Sequence, residues 1–99
     1  MKVAVLGAGM VGRAIAIDLA KLAAFTDVYG VQAPGNRTDK ISKIREIVGS
    51  QKTIVCCGVG YQGGTYRSVL SAGGNYPIIG RAIYEAGQPK EAIKQLIKK

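Results

Sequence analysis

The sequence has no histidine and no tryptophan, two cysteines, three prolines, one phenylalanine, and six acidic residues among its 99. Each scarcity removes a class of function. Without histidine, and with Cys56 and Cys57 adjacent rather than two residues apart, a zinc cluster has no ligand spacing to rest on. Successive strand side chains point to opposite faces, so the two thiols are badly placed to bridge each other. They are read as buried free thiols in a chain suited to the reducing cytoplasm. The single phenylalanine and five tyrosines form no stacking pattern and no nucleic-acid reader motif is present. The net charge of +8 is therefore read as favouring solubility and attracting phosphate-bearing partners, with no nucleic-acid site expected. The apolar stretch 3–11 is broken by glycines and followed by Arg13, and it falls far short of the ~20 residues of a membrane span, so no membrane partner is expected either.

What is present describes a single α/β domain, 1–99. Hydrophobic residues make up 47% and charged residues 20%, a composition able to bury a core, although a thin one at this length. Short β-branched runs at 2–6, 28–32, 53–57 and 76–79 alternate with longer amphipathic stretches at 10–23, 37–48, 66–72 and 89–98, a (βα)4 pattern. Continuous apolar strands of this kind suit a parallel sheet covered by helices. In the second helix Thr38 is placed to cap, Asp39 suits the positive end, and Ile41, Ile44, Ile47 and Val48 form one stripe, with Lys40, Lys43 and Arg45 largely off it. In the last helix Pro89 sits at the first turn, and Ala92, Ile93, Leu96 and Ile97 form the face expected to be buried.

Two glycine-rich segments carry the chemistry. Gly7, Gly9 and Gly12 lie between the first strand and the first helix, where the absence of a Cβ lets backbone N–H groups approach a pyrophosphate at a helix start. They are candidate, weak cofactor-binding residues. Residues 1–21 resemble the first βα unit of a Rossmann-fold, saccharopine dehydrogenase-like NAD(P)-binding domain. The acid that such a domain sets at the end of its second strand is missing, for Gln32, Pro34 and Asn36 stand there.

The second segment is Gly58-Val59-Gly60-Tyr61-Gln62-Gly63-Gly64, followed after one more strand by Gly80-Arg81. With Val31-Gln32-Ala33-Pro34-Gly35-Asn36-Arg37 and Lys43-Ile44-Arg45-Glu46-Ile47-Val48-Gly49, these make residues 27–99 resemble the C-terminal part, the sixth to eighth βα units, of the archaeal-type orotidine 5′-monophosphate decarboxylases, which are TIM barrels. The resemblance implies that Gln62 and Arg81 clasp a nucleotide phosphate, with backbone N–H groups of Gly63, Gly80 and Arg81 completing the cradle. Barrel phosphate sites do form at the C-terminal ends of strands, where arginine offers planar charge-assisted donors and glycine permits close approach.

The same resemblance implies an Asp-x-Lys-x-x-Asp array with a further lysine, and no such array occurs in the 99 residues. The expectation drawn from two partial sites is an engineered or chimeric scaffold without evolved catalysis, not an enzyme and holding no cofactor, with weak binding of phosphate or a nucleoside phosphate. A nucleotide- or dinucleotide-binding module is the alternative. The expected architecture is a half-TIM-barrel-like sheet of strand order 1-2-3-4, whose open edges call for pairing with itself as a homodimer. A flat flavodoxin- or Rossmann-like sheet of order 2-1-3-4 is the alternative.

Overall fold

The structure, a computed structural model, describes residues 3–5, 28–60 and 63–99. Four parallel strands, β1 (Val3–Val5), β2 (Gly30–Pro34), β3 (Thr53–Cys57) and β4 (Tyr76–Pro77), form one sheet in the order β1-β2-β3-β4. This is the half-barrel-like order, and the flat 2-1-3-4 arrangement is not the one adopted. The helices are α1 (Thr38–Val48), α2 (Tyr66–Ala72), the single-turn α3 (Arg81–Tyr84) and α4 (Pro89–Ile97).

Strand alternation divides the sheet into a covered and an open face. Val31 and Ala33 of β2 and Ile54 and Cys56 of β3 are 0–2% exposed and pack with Ile41, Ile44 and Val48 of α1, Val69 of α2, and Val59. Burying side chains such as Ile41 or Ile54 contributes roughly 1.5–3 kcal/mol each before chain entropy is charged against it. Among the described residues no polar or charged side chain is buried. Gln32, Pro34, Thr53, Val55 and Cys57, which alternate with the core residues, remain partly accessible on the other face. Registration carries the open-face row from β2 to β4, Gln32 beside Val55 and Val55 beside Tyr76, while β1 pairs with β2 through Val3 and Gly30, Ala4 and Val31, and Val5 and Gln32.

The ends of the elements opposite the glycine loops converge on Arg45. Its guanidinium donates to the carbonyl oxygens of Gly73 (2.9 Å), Gly49 (2.7 Å) and Lys52 (2.7 Å) and to Asn75 Oδ1 (2.5 Å). One side chain thereby satisfies carbonyls at the C-termini of α1 and α2 and before β3, groups that helix geometry leaves without intrahelical partners. Arg45 is thus not simply a solvated charge off the apolar stripe.

Several local expectations are corrected. Strand β2 lies two residues later than the apolar run suggested, because Pro34, although unable to donate, still pairs in register with Cys57 at the strand end. Thr38 is the first residue of α1 rather than its cap, and Arg37 at the cap position makes no side-chain capping bond. The reciprocal cap belongs instead to α2, where Thr65 Oγ1 accepts from Ser68 N (3.1 Å) and Ser68 Oγ accepts from Thr65 N (3.2 Å). The expected apolar face of α4 is not buried. Ala92 and Leu96 are half-covered, while Ile93 and Ile97 stay 40% and 46% exposed, since among the described elements α4 packs mainly on α2 and α3. Of the two cysteines, only Cys56 is buried, and its surroundings push the thiol up to about 11, mainly by desolvation. Cys57, one residue on, points to the open face as strand alternation requires, and accepts a hydrogen bond from Gln32 Nε2 at 2.7 Å.

Candidate phosphate site

The loops after β2, β3 and β4 emerge at one rim of the sheet because all four strands run the same way. After β3 the chain turns back on itself: Val59 forms a parallel bridge with Gly64, and Gly60 N donates to Gly64 O at 2.7 Å. The turn requires left-handed backbone at Gly63, whose φ is +98°, and none of the described residues lies within 4 Å of where a Cβ would project there. Gly64 has the opposite constraint. Its position against the carbonyl of Gly35 leaves no room for any side chain, and Gly35 N in turn donates to Cys57 O.

On its other side the loop meets the β4 rim. A Cβ on Gly60 would stand 3.2 Å from Ala82 Cβ and 3.7 Å from Ile79 Cγ2, so the glycine loop and the segment that carries Gly80 and Arg81 are neighbours. Ile78 N donates to Cys56 O at 2.7 Å, which fixes the chain leaving β4, and the carbonyl of Gly80 accepts from Ile83 N (2.8 Å) and Tyr84 N (3.1 Å) as α3 begins. Arg81 is exposed at this turn, its Nε 3.5 Å from Glu85 Oε1. At the β2 rim Arg37 pairs with Asp39 at 3.3 Å, and that hydrogen bond, reinforced by charge, holds the Asp39 carboxyl below its ordinary range.

The structure therefore sets the loop after β3, through Gly60, beside the turn that carries Gly80 and Arg81. Gln62 lies outside the described residues, as do Gly7, Gly9 and Gly12. Sequence reading passed over the Gln32–Cys57 pair on the open face beneath this rim. Its only signal was a lone amide side chain between Val31 and Ala33 in an otherwise apolar strand. Among the described residues no three His, Cys, Asp or Glu side chains gather to hold a metal, and no helix is long and apolar enough to cross a membrane.

Arg81 and the glycine segments thus lie at the C-terminal ends of two adjacent strands, and comparison with known proteins gives that arrangement a context. The family model described as orotidine 5′-phosphate decarboxylase / HUMPS family matches residues 5–96. The orotidine 5′-phosphate decarboxylase of Methanosarcina acetivorans is 43% identical over 82 residues, which cover 83% of this chain and 37% of that protein. Among solved structures, the orotidine 5′-monophosphate decarboxylase of Metallosphaera sedula superposes with a TM-score of 0.83 at 26% identity over 97% of this chain and 48% of its own. The orotidine 5′-phosphate decarboxylase of Pyrococcus horikoshii OT3 does so with a TM-score of 0.83 at 30% identity, over 98% of this chain and 50% of its own. The chain thus spans a little over a third of the curated relative and about half of these solved chains.

These matches overturn the expectation of a non-catalytic engineered or chimeric scaffold, and with it the exclusion of enzymes, because the relatives are enzymes by name and one family model runs through both glycine segments. The misreading has a physical origin. Three glycines spaced across a strand-to-helix turn satisfy a local steric demand that many βα units share, so that spacing does not assign residues 1–21 to a separate parent.

Proposed function

Because the chain belongs to the orotidine 5′-phosphate decarboxylase / HUMPS family, we propose that it forms the phosphate-holding side of an enzyme that decarboxylates orotidine 5′-phosphate. The observation that supports this reading is that Gly60, whose N–H donates to Gly64 O, lies beside Ile79 and Ala82, so that the loop after β3 adjoins the turn carrying Gly80 and Arg81. Arg81 supplies the charge-assisted donors, the amide of Gln62 a neutral one, and backbone N–H groups of Gly63 and Gly80 the close contacts.

In this reading the phosphate is remote from the bond that breaks, so its binding energy orients the nucleotide rather than acting on the carboxylate directly. The groups that act on the carboxylate are contributed by polypeptide other than these 99 residues, which hold no Asp-x-Lys-x-x-Asp array. The Gln32–Cys57 pair lies beneath the rim, on the side of the sheet where the rest of the nucleotide would descend.

The test is a calorimetric titration of the chain with orotidine 5′-phosphate and, separately, with orotidine. The nucleotide should bind and the nucleoside should bind at least tenfold more weakly, and Arg81→Ala should erase most of that difference, a loss of about 1.5–3 kcal/mol. Equal affinity for the two compounds, or an Arg81→Ala variant that still discriminates fully, would remove the phosphate site from this rim.

A further inference from the structure

We propose that Gln32 is a specificity-determining residue that binds the nucleoside part of the nucleotide, and that Cys57 positions it by holding its amide. The proposal rests on the reading of the rim as a phosphate site and extends it to the group below the phosphate.

Strand register places the pair. Gln32 is level with Val55, whereas Cys57 is level with Pro34, two residues nearer the rim and directly before Gly58, where the loop begins. Two residues of a parallel strand rise about 6.6 Å. The Gln32 side chain leans across that step, since its Nε2 donates to Cys57 Sγ at 2.7 Å. Its amide head is thereby raised from the middle of β2 to the foot of the loop that carries Gly63.

Chemistry then decides what the head can take. A glutamine amide has two N–H donors and an oxygen that only accepts. Among the described residues the bond to Cys57 is the sole side-chain hydrogen bond of Gln32, so the oxygen and the second N–H remain to be used. Both residues are partly exposed, so these groups meet an accessible surface rather than the core. An accepting oxygen has nothing to offer a phosphate or a carboxylate, whose oxygens also accept. It calls for a neutral N–H or O–H, and orotidine 5′-phosphate has both, in the ring N–H that lies between two carbonyls and in the ribose hydroxyls.

The neighbours sharpen the assignment. Pro34 beside Cys57 and Val55 beside Gln32 have no polar side-chain atom, and Thr53 lies at the opposite end of β3. No charged side chain occurs among these open-face residues. A hydrogen bond lost at Gln32 is therefore not replaced by another of them, which is the condition under which a site rejects a ligand lacking the matching group. The bond to Cys57 also restricts the long Gln32 side chain before the ligand arrives, and so reduces the entropy lost on binding.

Two readouts test this. The first is calorimetric affinity for orotidine 5′-phosphate, ribose 5-phosphate and inorganic phosphate. Gln32→Met keeps the length and removes both hydrogen-bonding atoms. It should weaken orotidine 5′-phosphate about tenfold and leave inorganic phosphate unchanged, which also shows the fold intact. An equal loss toward ribose 5-phosphate assigns the partner to a ribose hydroxyl, and a loss confined to the nucleotide assigns it to the ring N–H. Cys57→Ala should cause a smaller loss that Cys57→Ser, which keeps an acceptor, recovers; no recovery would remove Cys57 from its positioning role. The second readout is alkylation of Cys57 by iodoacetamide in the unaltered chain, with buried Cys56 as the internal control. Saturating orotidine 5′-phosphate should slow it several-fold, and saturating inorganic phosphate, confined to the rim, should not. Undiminished nucleotide affinity in Gln32→Met, or alkylation indifferent to the nucleotide, in a chain that still prefers nucleotide to nucleoside overturns this proposal and spares the phosphate site. A chain that binds nucleotide and nucleoside alike overturns the phosphate site and this proposal with it.

Discussion

Arg45 illustrates how little a side chain's position on a helical wheel says about its work. It lies beside the apolar stripe of α1, where a cation is ordinarily solvated, yet it donates to three carbonyls and one side-chain amide from separate elements. Replacing it by alanine leaves those acceptors to find water at a half-buried junction. Arg45→Ala should lower the unfolding free energy by about 2–4 kcal/mol in urea melts, and a loss below 1 kcal/mol would show that the carbonyls are solvated anyway. At this scale the sequence was legible where chemistry is local. The core positions Ile41, Ile44 and Val48 follow from spacing alone, and Cys56 and Cys57 separate to opposite faces as strand geometry demands. It was opaque where one residue joins distant segments, as Arg45 does with Asn75 and Gln32 with Cys57, because nothing in neighbouring sequence encodes a contact thirty or twenty-five residues away.

Among the elements, α2 is the one whose beginning is most tightly specified. It is only seven residues long, and a helix that short gains little from its own backbone. The Thr65 and Ser68 exchange, with burial of Val69, compensates. Thr65→Ala should destabilise the fold by about 1 kcal/mol, and Thr65→Ser should restore most of it; equal melts for the alanine variant and the parent would mean that water caps the helix as well. Strand β3 and helix α2 were readable to the residue because their apolar runs are bounded by glycine and polar residues on both sides. Helix α3 was not anticipated, since four residues are too few to show a period. Helix α4 was anticipated in extent but not in burial, because amphipathic spacing says which face is apolar and not whether anything covers it.

For the whole molecule, the balance of 14 basic to six acidic residues sets a global electrostatic cost. The ion pairs among the described residues, such as Lys43–Glu46 and Lys94–Glu91, are exposed and contribute little against it. Raising sodium chloride from about 10 mM to about 150 mM shortens the screening length from roughly 30 Å to 8 Å, so the melting temperature should rise by a few degrees. A fall instead would mean that the exposed pairs outweigh the net repulsion. The half-barrel-like strand order followed from the βα alternation and the resemblance of residues 27–99, but the family membership of the whole chain did not, because a short glycine pattern was weighed as ancestry rather than as a turn.

The contact between Gly35 and Gly64 has a mechanical consequence. Backbone touches backbone there, with no side chain between them to rotate out of the way. A side chain introduced at either position would have to push the loop after β3 away from the loop after β2, with Gly60 and Ala82 the next neighbours along the rim. The rim is thus spaced by its glycines, and the loops after β2 and β3 can lie this close only while positions 35 and 64 carry no Cβ.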